Sequence, residues 1–472
     1  MASKILTLSN ELNANFKERD DEIAGSLLAM ISGEHVLFIG PPGTAKSMLA
    51  REMCKAIEGG DFFYYLLTRF TTPDEIFGPL SLSALQEDIF SRKVDGYLPS
   101  ANVSFLDEIF KANSSILNSL LTILNERKYH NGSEILDVPL FSVFGASNEL
   151  PEENESLEAL YDRFLFRYYV SYVQDETNFV ELILGHAEDF VPSVRLSIGE
   201  IRALHQGASQ VPLDDDVLDT FVALRKEFRT TGVTISDRRW KKMVWVLRVA
   251  ALALGRKSVD KTLVPLLQHM TWNRPEERTT NRAKLIDMAV SGGVNLERTR
   301  KDLKDLHASA ILIKDFVLPK AVTCVPCETT FSHWKALASH ANNYPDHTYA
   351  LPGSDEKYQV RKHKVSPKLL PNLVELFGSM GTPVVLTMPV KEKELYLGEV
   401  EDFEEELGTL EGDLGKERAL LVDRLSDNFW LTRKDREEVL AQYDAKTRSM
   451  AEMKRMLADT REIIRSEDPV EP

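Results

Sequence analysis

Cysteine is scarce in this chain, with three residues among 472. That scarcity excludes a disulfide framework and suits a reducing cytoplasm. Apolar runs long enough to span a bilayer are missing as well. The opening Met1-Ala2-Ser3-Lys4 runs into a mixed polar stretch and lacks the apolar core of a signal peptide. Basic excess is absent too: the net charge is −16 and the pI is near 5.3. No surplus of cations remains to neutralise phosphates, which argues against nucleic acid as the default partner. These absences together lead to the expectation of an acidic, soluble, intracellular protein. A hydrophobic content of 43% with 28% charged residues is ordinary for a globular chain. The length exceeds what one core supports and implies about two to four domains.

The densest signal is Gly40-Pro41-Pro42-Gly43-Thr44-Ala45-Lys46-Ser47. It follows the apolar run His35-Val36-Leu37-Phe38-Ile39 and precedes a helical pattern beginning at Met48. Strand, glycine-rich loop and helix is the context in which such a match binds phosphate. Backbone N–H groups converge on the β-phosphate, and the helix N-terminus adds partial positive charge. Lys46 reaches the β- and γ-phosphates, and Ser47 offers its hydroxyl to Mg²⁺. Ala45 stands where a second glycine is expected, which requires negative φ at that position.

Around this loop the chain reads as alternating strands and helices. Residues 8–32 carry Leu12, Phe16, Ile23, Leu27, Leu28 and Ile31 at helical spacing and stop at Gly33. Residues 62–67 read as a buried strand, and Thr72-Pro73-Asp74-Glu75 as a capped helix start. Gly78-Pro79 ends that helix, and residues 80–99 are expected to form a two-stranded insertion. The next strand, Val103–Leu106, delivers Asp107 and Glu108 at its end. There Asp107 would hold the metal through water, and Glu108 would orient and deprotonate the attacking water. A helix over 116–124 and the hairpin signal at Lys128–Gly132 follow. The strand at 140–146 ends at Ser147-Asn148. An Asn there either closes a turn or, since ligands sit at the carboxyl ends of parallel strands, holds the lytic water. Arg163 and Arg167, before and within a fifth strand, are read either as surface ion pairs or as a guanidinium lent to a neighbour's γ-phosphate. From Asp175 the pattern turns helical. Ser236-Asp237-Arg238-Arg239-Trp240-Lys241-Lys242 opens a helix with cations against its dipole, a conflict that a bound polyphosphate or another acid would relieve.

Together these motifs resemble the AAA+ ATPases. The phosphate loop, Phe105-Leu106-Asp107-Glu108, the Ala146–Pro151 stretch and Ala159–Phe164 are similar to the MoxR family. Leu66–Phe70 and Ser236–Lys242 resemble its RavA branch. The resemblance extends over residues 20–275. It implies an ATP- and Mg²⁺-dependent ATPase with a P-loop α/β core, a parallel five-stranded sheet, an all-α lid and a helical C-terminal region carrying a small inserted α+β domain. It implies nucleotide contacts from Gly40 through Met48, with Lys46 and Ser47 as Walker A and Asp107 and Glu108 as Walker B. Asn148 would be sensor 1, Arg163 the arginine finger, and Arg238 or its neighbour Arg239 sensor 2. Residues 80–99 would be the second-helix insert, and the hairpin near Tyr129 a pre-sensor insert facing a pore. Such proteins form hexameric rings, remodel protein clients and often work with a partner bearing a von Willebrand factor A domain.

The implied divisions are a core over 1–174, a lid over 175–275, a helical region over 276–305 and 391–472, and a small domain over 306–390. Residues 391–424 and 432–466 read as two antiparallel helices around the aromatic turn Phe429-Trp430. The small domain contains Cys324, Cys327, Phe331, Leu337, His340 and His347 in a C-x2-C-x3-F-x5-L-x2-H layout, the pattern of a C₂H₂ zinc site. The final gap of six residues is long, Pro345 interrupts the helix that should carry both histidines, and His333 is a spare candidate. Zinc held by four protein ligands would be structural. The leading expectation is an ATP-driven remodeller of a protein partner in the cytoplasm. A nucleic-acid-directed motor and a nucleotide-gated scaffold are the alternatives.

Overall fold

A computed structural model describes residues 1–151, 155–184, 190–291, 296–313, 317–350, 357–359, 385–386, 390–466 and 468–469. The chain divides into two units, Met1–Gly293 with Ala419–Gln442, and Val294–Arg418 with Tyr443–Pro472.

The first unit is built on the expected sheet. Its strands are β1 (Val36–Ile39), β2 (Phe62–Leu66), β3 (Val103–Asp107), β6 (Ser142–Ser147) and β7 (Phe166–Tyr169). They are all parallel and ordered β2-β3-β6-β1-β7. The buried run Val36–Ile39 lies between β6 and β7, so an unbroken apolar tetrapeptide is what the position demands. β2 is an edge strand and half exposed, not the buried strand expected of residues 62–67. Helices α3 (Lys46–Lys55) and α6 (Ser114–Glu126) are among those that cover the sheet, and α6 is capped by the Asn113 side chain. The capping box between Thr72 and Glu75 forms at α4 (Pro73–Phe77), and Gly78 ends it.

Two expectations fail here. Residues 8–32 are two helices, α1 (Ala2–Asn15) and α2 (Asp20–Ser32), separated at Glu18, whose φ is 56°. Glu18 carries the carboxylate that accepts the Gln174 and Asp175 N–H groups at 2.9 Å each, which fixes the bend. Residues 80–99 are not a two-stranded insertion. They hold α5 (Leu82–Gln86), started by the Ser81 side chain, and a single bridge between Leu80 and Arg92. The hairpin does form, as β4 (Lys128–Asn131) and β5 (Glu134–Asp137). Tyr129 points inward, however, against Phe77 at a ring separation of 5.3 Å, so it presents no aromatic to a pore.

After α7 (Glu155–Arg163) and β7, the chain is helical: α8 (Glu176–Leu184), α9 (Ile198–Ala208), α10 (Asp215–Thr230), α11 (Asp237–Ala253) and α12 (Glu277–Ser291). Gly33 and Gly255 close α2 and α11 in the left-handed conformation. The turn between the long helices Val390–Ser426 and Arg433–Arg465 belongs to this unit. Trp430 donates its indole N–H to Ala250 O at 3.2 Å, and Asn428 donates to Thr262 O.

In the second unit, α13 (Leu296–Ile313) shares an apolar core with both long helices, through Leu303, Ala310, Val400, Leu407, Met453 and Leu457. The inserted domain contributes β8 (Val317–Cys324), β9 (Thr330–His333), α14 (Trp334–Asn343), β10 (Thr348–Ala350) and β11 (Lys357–Gln359), with sheet order β11-β10-β8-β9. Most of the expected 351–389 segment lies outside the described residues. Among the described residues, no helix is long and apolar enough to cross a membrane.

Candidate active site

Parallel pairing brings three strand ends to one edge. Ile39 lies beside Ser147, and Gly40 N–H donates to Ser147 O at 3.1 Å. The phosphate loop therefore leaves the sheet next to Asn148, while Asp107 ends the neighbouring β3. Gly40 has φ 148°, and a Cβ there would meet Val170 O at 2.1 Å, so the loop cannot pass this point with any side chain. Gly43 has φ 78° and faces open space, the concave geometry in which backbone amides meet an anion.

Ala45 departs from expectation. Its φ is 64° and its ψ 20°, left-handed, at the N-cap of α3. The loop needs that reversal to turn into the helix, and an L-residue pays about 1–2 kcal/mol for it. Lys46 follows, and its ammonium donates to Gly40 O and Pro41 O at 2.8 Å each. Burial holds this amine below its ordinary value, against the opposing pull of Asp107 and Glu108. Burial likewise raises the Asp107 carboxyl, while its Oδ1 accepts from Glu108 N–H at 3.0 Å and Lys46 pulls the other way. A cation held by loop carbonyls and the Thr44 hydroxyl, a raised carboxyl and a loop open to solvent at Gly43 form a donor set suited to a Mg²⁺-polyphosphate.

Glu108 sits at φ 52°, ψ 45°, a strained conformation that turns its side chain away from the strand direction. Asn148 Nδ2 donates to Glu108 Oε1 at 2.8 Å, and Lys111 Nζ lies 3.3 Å from Oε2. Both carboxylate oxygens are thus fixed. Lys111 was not anticipated, although its three-residue spacing from Glu108 is a readable signal.

The arginines separate sharply. Arg167 is wholly buried: Nη1 donates to Trp272 O at 2.7 Å and Asn273 Oδ1 at 2.9 Å, Nη2 donates to Tyr161 O, and the guanidinium lies 3.8 Å over the Tyr161 ring. It is neither a surface ion pair nor free to reach a neighbour. Arg239 is buried as well, donating to Asn273 Oδ1 at 2.7 Å and to Met270 O. Its guanidinium holds the 270–273 loop, so of the adjacent pair only Arg238, 42% exposed, is open to a ligand. Arg163 is half-buried, and its Nε has no hydrogen-bond partner. Asp162 accepts from Ser236 Oγ at 3.1 Å and lies 4.0 Å from Arg238, while Glu34 pairs with Lys242. Acids of the protein itself therefore relieve part of the charge conflict at the start of α11. Asn273, shared by both buried arginines, carried no sequence signal.

Residues 3–202 match the family described as the MoxR domain in the MoxR-vWA-beta-propeller ternary systems, and residues 216–284 match an AAA lid domain. The chain is 45% identical over 271 residues to the uncharacterised protein MJ0812 of Methanocaldococcus jannaschii, covering 57% of this chain and 72% of that one. It is 46% identical to MJ0079 of the same organism, with 57% and 70% covered. It is also 30% identical over 184 residues to the chaperone MoxR1 of Mycobacterium tuberculosis, covering 37% and 47%.

Proposed function

The chain belongs to the MoxR family of AAA+ ATPases, and we propose that it is an ATP-hydrolysing ring, of the RavA type, that remodels a protein partner in the cytoplasm. The observation that carries this reading is the Asn148–Glu108 hydrogen bond at the carboxyl edge of the sheet, beside the phosphate loop. Mg²⁺-ATP, when bound, supplies an activated γ-phosphoryl group and the metal's charge.

Each residue then has a task. Lys46 exchanges the Gly40 and Pro41 carbonyls for phosphate oxygens, and the Gly40–Met48 backbone cradles them. Ser47 and Asp107 offer oxygens to the metal. Glu108, held at both oxygens by Asn148 and Lys111, orients a water and takes its proton. Arg238 reaches the phosphates from the start of α11 when it leaves Asp162. Arg163 ends α7 just before β7, whose first residue pairs with the first of β1, so it lies toward the amino end of the sheet, away from the loop of its own chain. Its task is to stabilise charge at the site of the next subunit in a closed ring, six copies by the family resemblance. A change of angle between sheet and lid helices would convert hydrolysis into movement of a client.

The family description supports a partner with a von Willebrand factor A domain, and the relative named a chaperone supports a protein client. The net charge of −16 points away from nucleic acid. A pull-down with Glu108→Gln in ATP tests the reading. Nucleotide should be retained without turnover, and the partner should be captured in excess over wild type. Normal turnover by this variant would remove Glu108 from its role.

A further inference from the structure

The inserted domain lies beyond both family matches, which end at residues 202 and 284. Its β8–β9 hairpin and α14 form a small ββα module within the second unit. Cys324 ends β8, and a tight turn carries the chain to Cys327. Glu328 N–H closes the turn on Cys324 O at 2.8 Å, with Glu328 left-handed at φ 57°. His340 lies in the last turn of α14, and His347 follows just after that helix. One ligand atom from each of Cys324, Cys327, His340 and His347 falls within 4.8 Å of all the others. Pro345 does end the helix early, as the sequence implied. His347 nonetheless returns to the cluster through the turn that Tyr344 stabilises by stacking on its ring at 4.8 Å. His333 is not one of the four.

We propose that Cys324, Cys327, His340 and His347 hold a structural zinc ion. Three observations carry this inference, which goes beyond the ATPase reading and does not depend on it. First, both sulfurs lie 3.4 Å from the same atom, His347 Nδ1. One imidazole nitrogen has a single lone pair in the ring plane, so it cannot accept from two thiols. A cation among the three satisfies all of them. Tetrahedral zinc with ordinary bond lengths separates its ligands by roughly 3.3–3.8 Å, which includes the observed spacing. Second, His340 Nδ1 lies 3.0 Å from the Tyr349 hydroxyl. That partner fixes the ring and leaves Nε2 for the metal, the outer-shell arrangement of ligating histidines. Third, among the described residues the module's buried apolar set is small: Val322, Cys324, Phe331, Leu337, Ala341 and Tyr349. Segments below about 40 residues rarely fold on such a core without a staple.

Two thiolates with two imidazoles select zinc over harder divalent ions, and four protein ligands leave no open position for catalysis. Cys327 is exposed while Cys324 is buried, so Cys327→Ser tests the site without opening a cavity.

The experiment uses the full chain, expressed with zinc in the medium and purified without affinity metals. Elemental analysis should find about one zinc per chain. Titrating Co²⁺ into chelator-stripped protein should produce thiolate-to-cobalt charge-transfer bands. Cys327→Ser and His347→Ala should each lose the zinc and those bands while keeping the chain's ATP turnover. Tyr349→Phe should keep the bands and weaken retention against a chelator about tenfold or more. Negligible zinc in wild type with no cobalt–thiolate band overturns the proposal. So does wild-type zinc content in both ligand variants, or the finding that Cys324 and Cys327 purify as a disulfide.

Discussion

Asn148 donates its side-chain amide to Glu108 Oε1 across 2.8 Å, joining the ends of two strands that are neighbours in the sheet but 40 residues apart in sequence. The bond holds a carboxylate that the left-handed backbone at Glu108 has already turned out of the strand. Glu108→Gln should therefore lower turnover by about 10²–10⁴ with nucleotide affinity retained, as expected for loss of a general base. Asn148→Ala should lower turnover with little change in KM. A fall in affinity equal to the fall in turnover for Glu108→Gln would contradict the assignment.

Adjacent arginines should give opposite phenotypes. Arg239→Ala removes donors from the buried Met270 carbonyl and from the half-buried Asn273 side chain, which keeps its bond from Arg167. The stranded Met270 carbonyl costs about 1–3 kcal/mol, so the melting temperature should fall markedly. Arg238→Ala removes a partly exposed side chain that sits 4.0 Å from Asp162, and stability should hardly change while ATP turnover drops. Thermal melts beside steady-state assays separate the two. An unstable Arg238→Ala would reverse the assignment.

The loop stores strain at Ala45, whose φ is 64°. Ala45→Gly should relieve it and stabilise the folded chain by up to about 1 kcal/mol, since the extra freedom of glycine in the unfolded chain offsets part of the gain. Gly40→Ala should do the reverse and abolish nucleotide binding, because its Cβ has only Val170 O to meet. Chemical denaturation and nucleotide titration check both. A destabilised Ala45→Gly would mean the strain is not real.

Asp21 gives a pH signature. Burial, then the charge of Asp435, pushes its carboxyl up to about 7 from 3.8. The folded state thus binds a proton that the unfolded state releases. The favourable contribution is complete below pH 3.8 and is lost as pH rises through about 7. Nearby His269, held neutral by burial with its ring near 3, acts in the opposite direction and loses stability as pH falls below 6.5. Asp21→Asn should therefore gain on wild type as pH rises from about 4 to about 7, by at most about 1.4 kcal/mol per pH unit, and hold that gain above pH 7. Parallel denaturation curves for the two proteins across that range would contradict the shift.

How much of this was legible varies with how local the cause is. The phosphate loop, the acidic pair after β3 and the cap at Ser236 were readable because neighbouring residues supply their own geometry. The break between α1 and α2 was hidden. Leu12, Phe16 and Ile23 keep one apolar phase across it, and the bend depends on Glu18 meeting the N–H groups of residues more than 150 positions away. The choice between Arg238 and Arg239 depends on where Asn273 packs, which no spacing reveals. At residues 80–99 the Ser81 cap competes with strand pairing and wins, leaving a bridge where a hairpin was expected. The Cys and His spacing was readable although irregular, because the post-helix turn at Pro345 can still return His347 to the two cysteines.

A site completed by a neighbouring subunit is tested most directly by mixing two defective chains. Lys46→Ala lacks the phosphate contact but keeps Arg163; Arg163→Ala keeps the phosphate loop but lacks the arginine. Each alone should be nearly inactive. An equimolar mixture should recover roughly a quarter of the wild-type rate, because random assembly pairs an intact loop with an intact neighbour's arginine at that frequency. No recovery on mixing, with Arg163→Ala alone turning over ATP at the wild-type rate as a monomer, would contradict it.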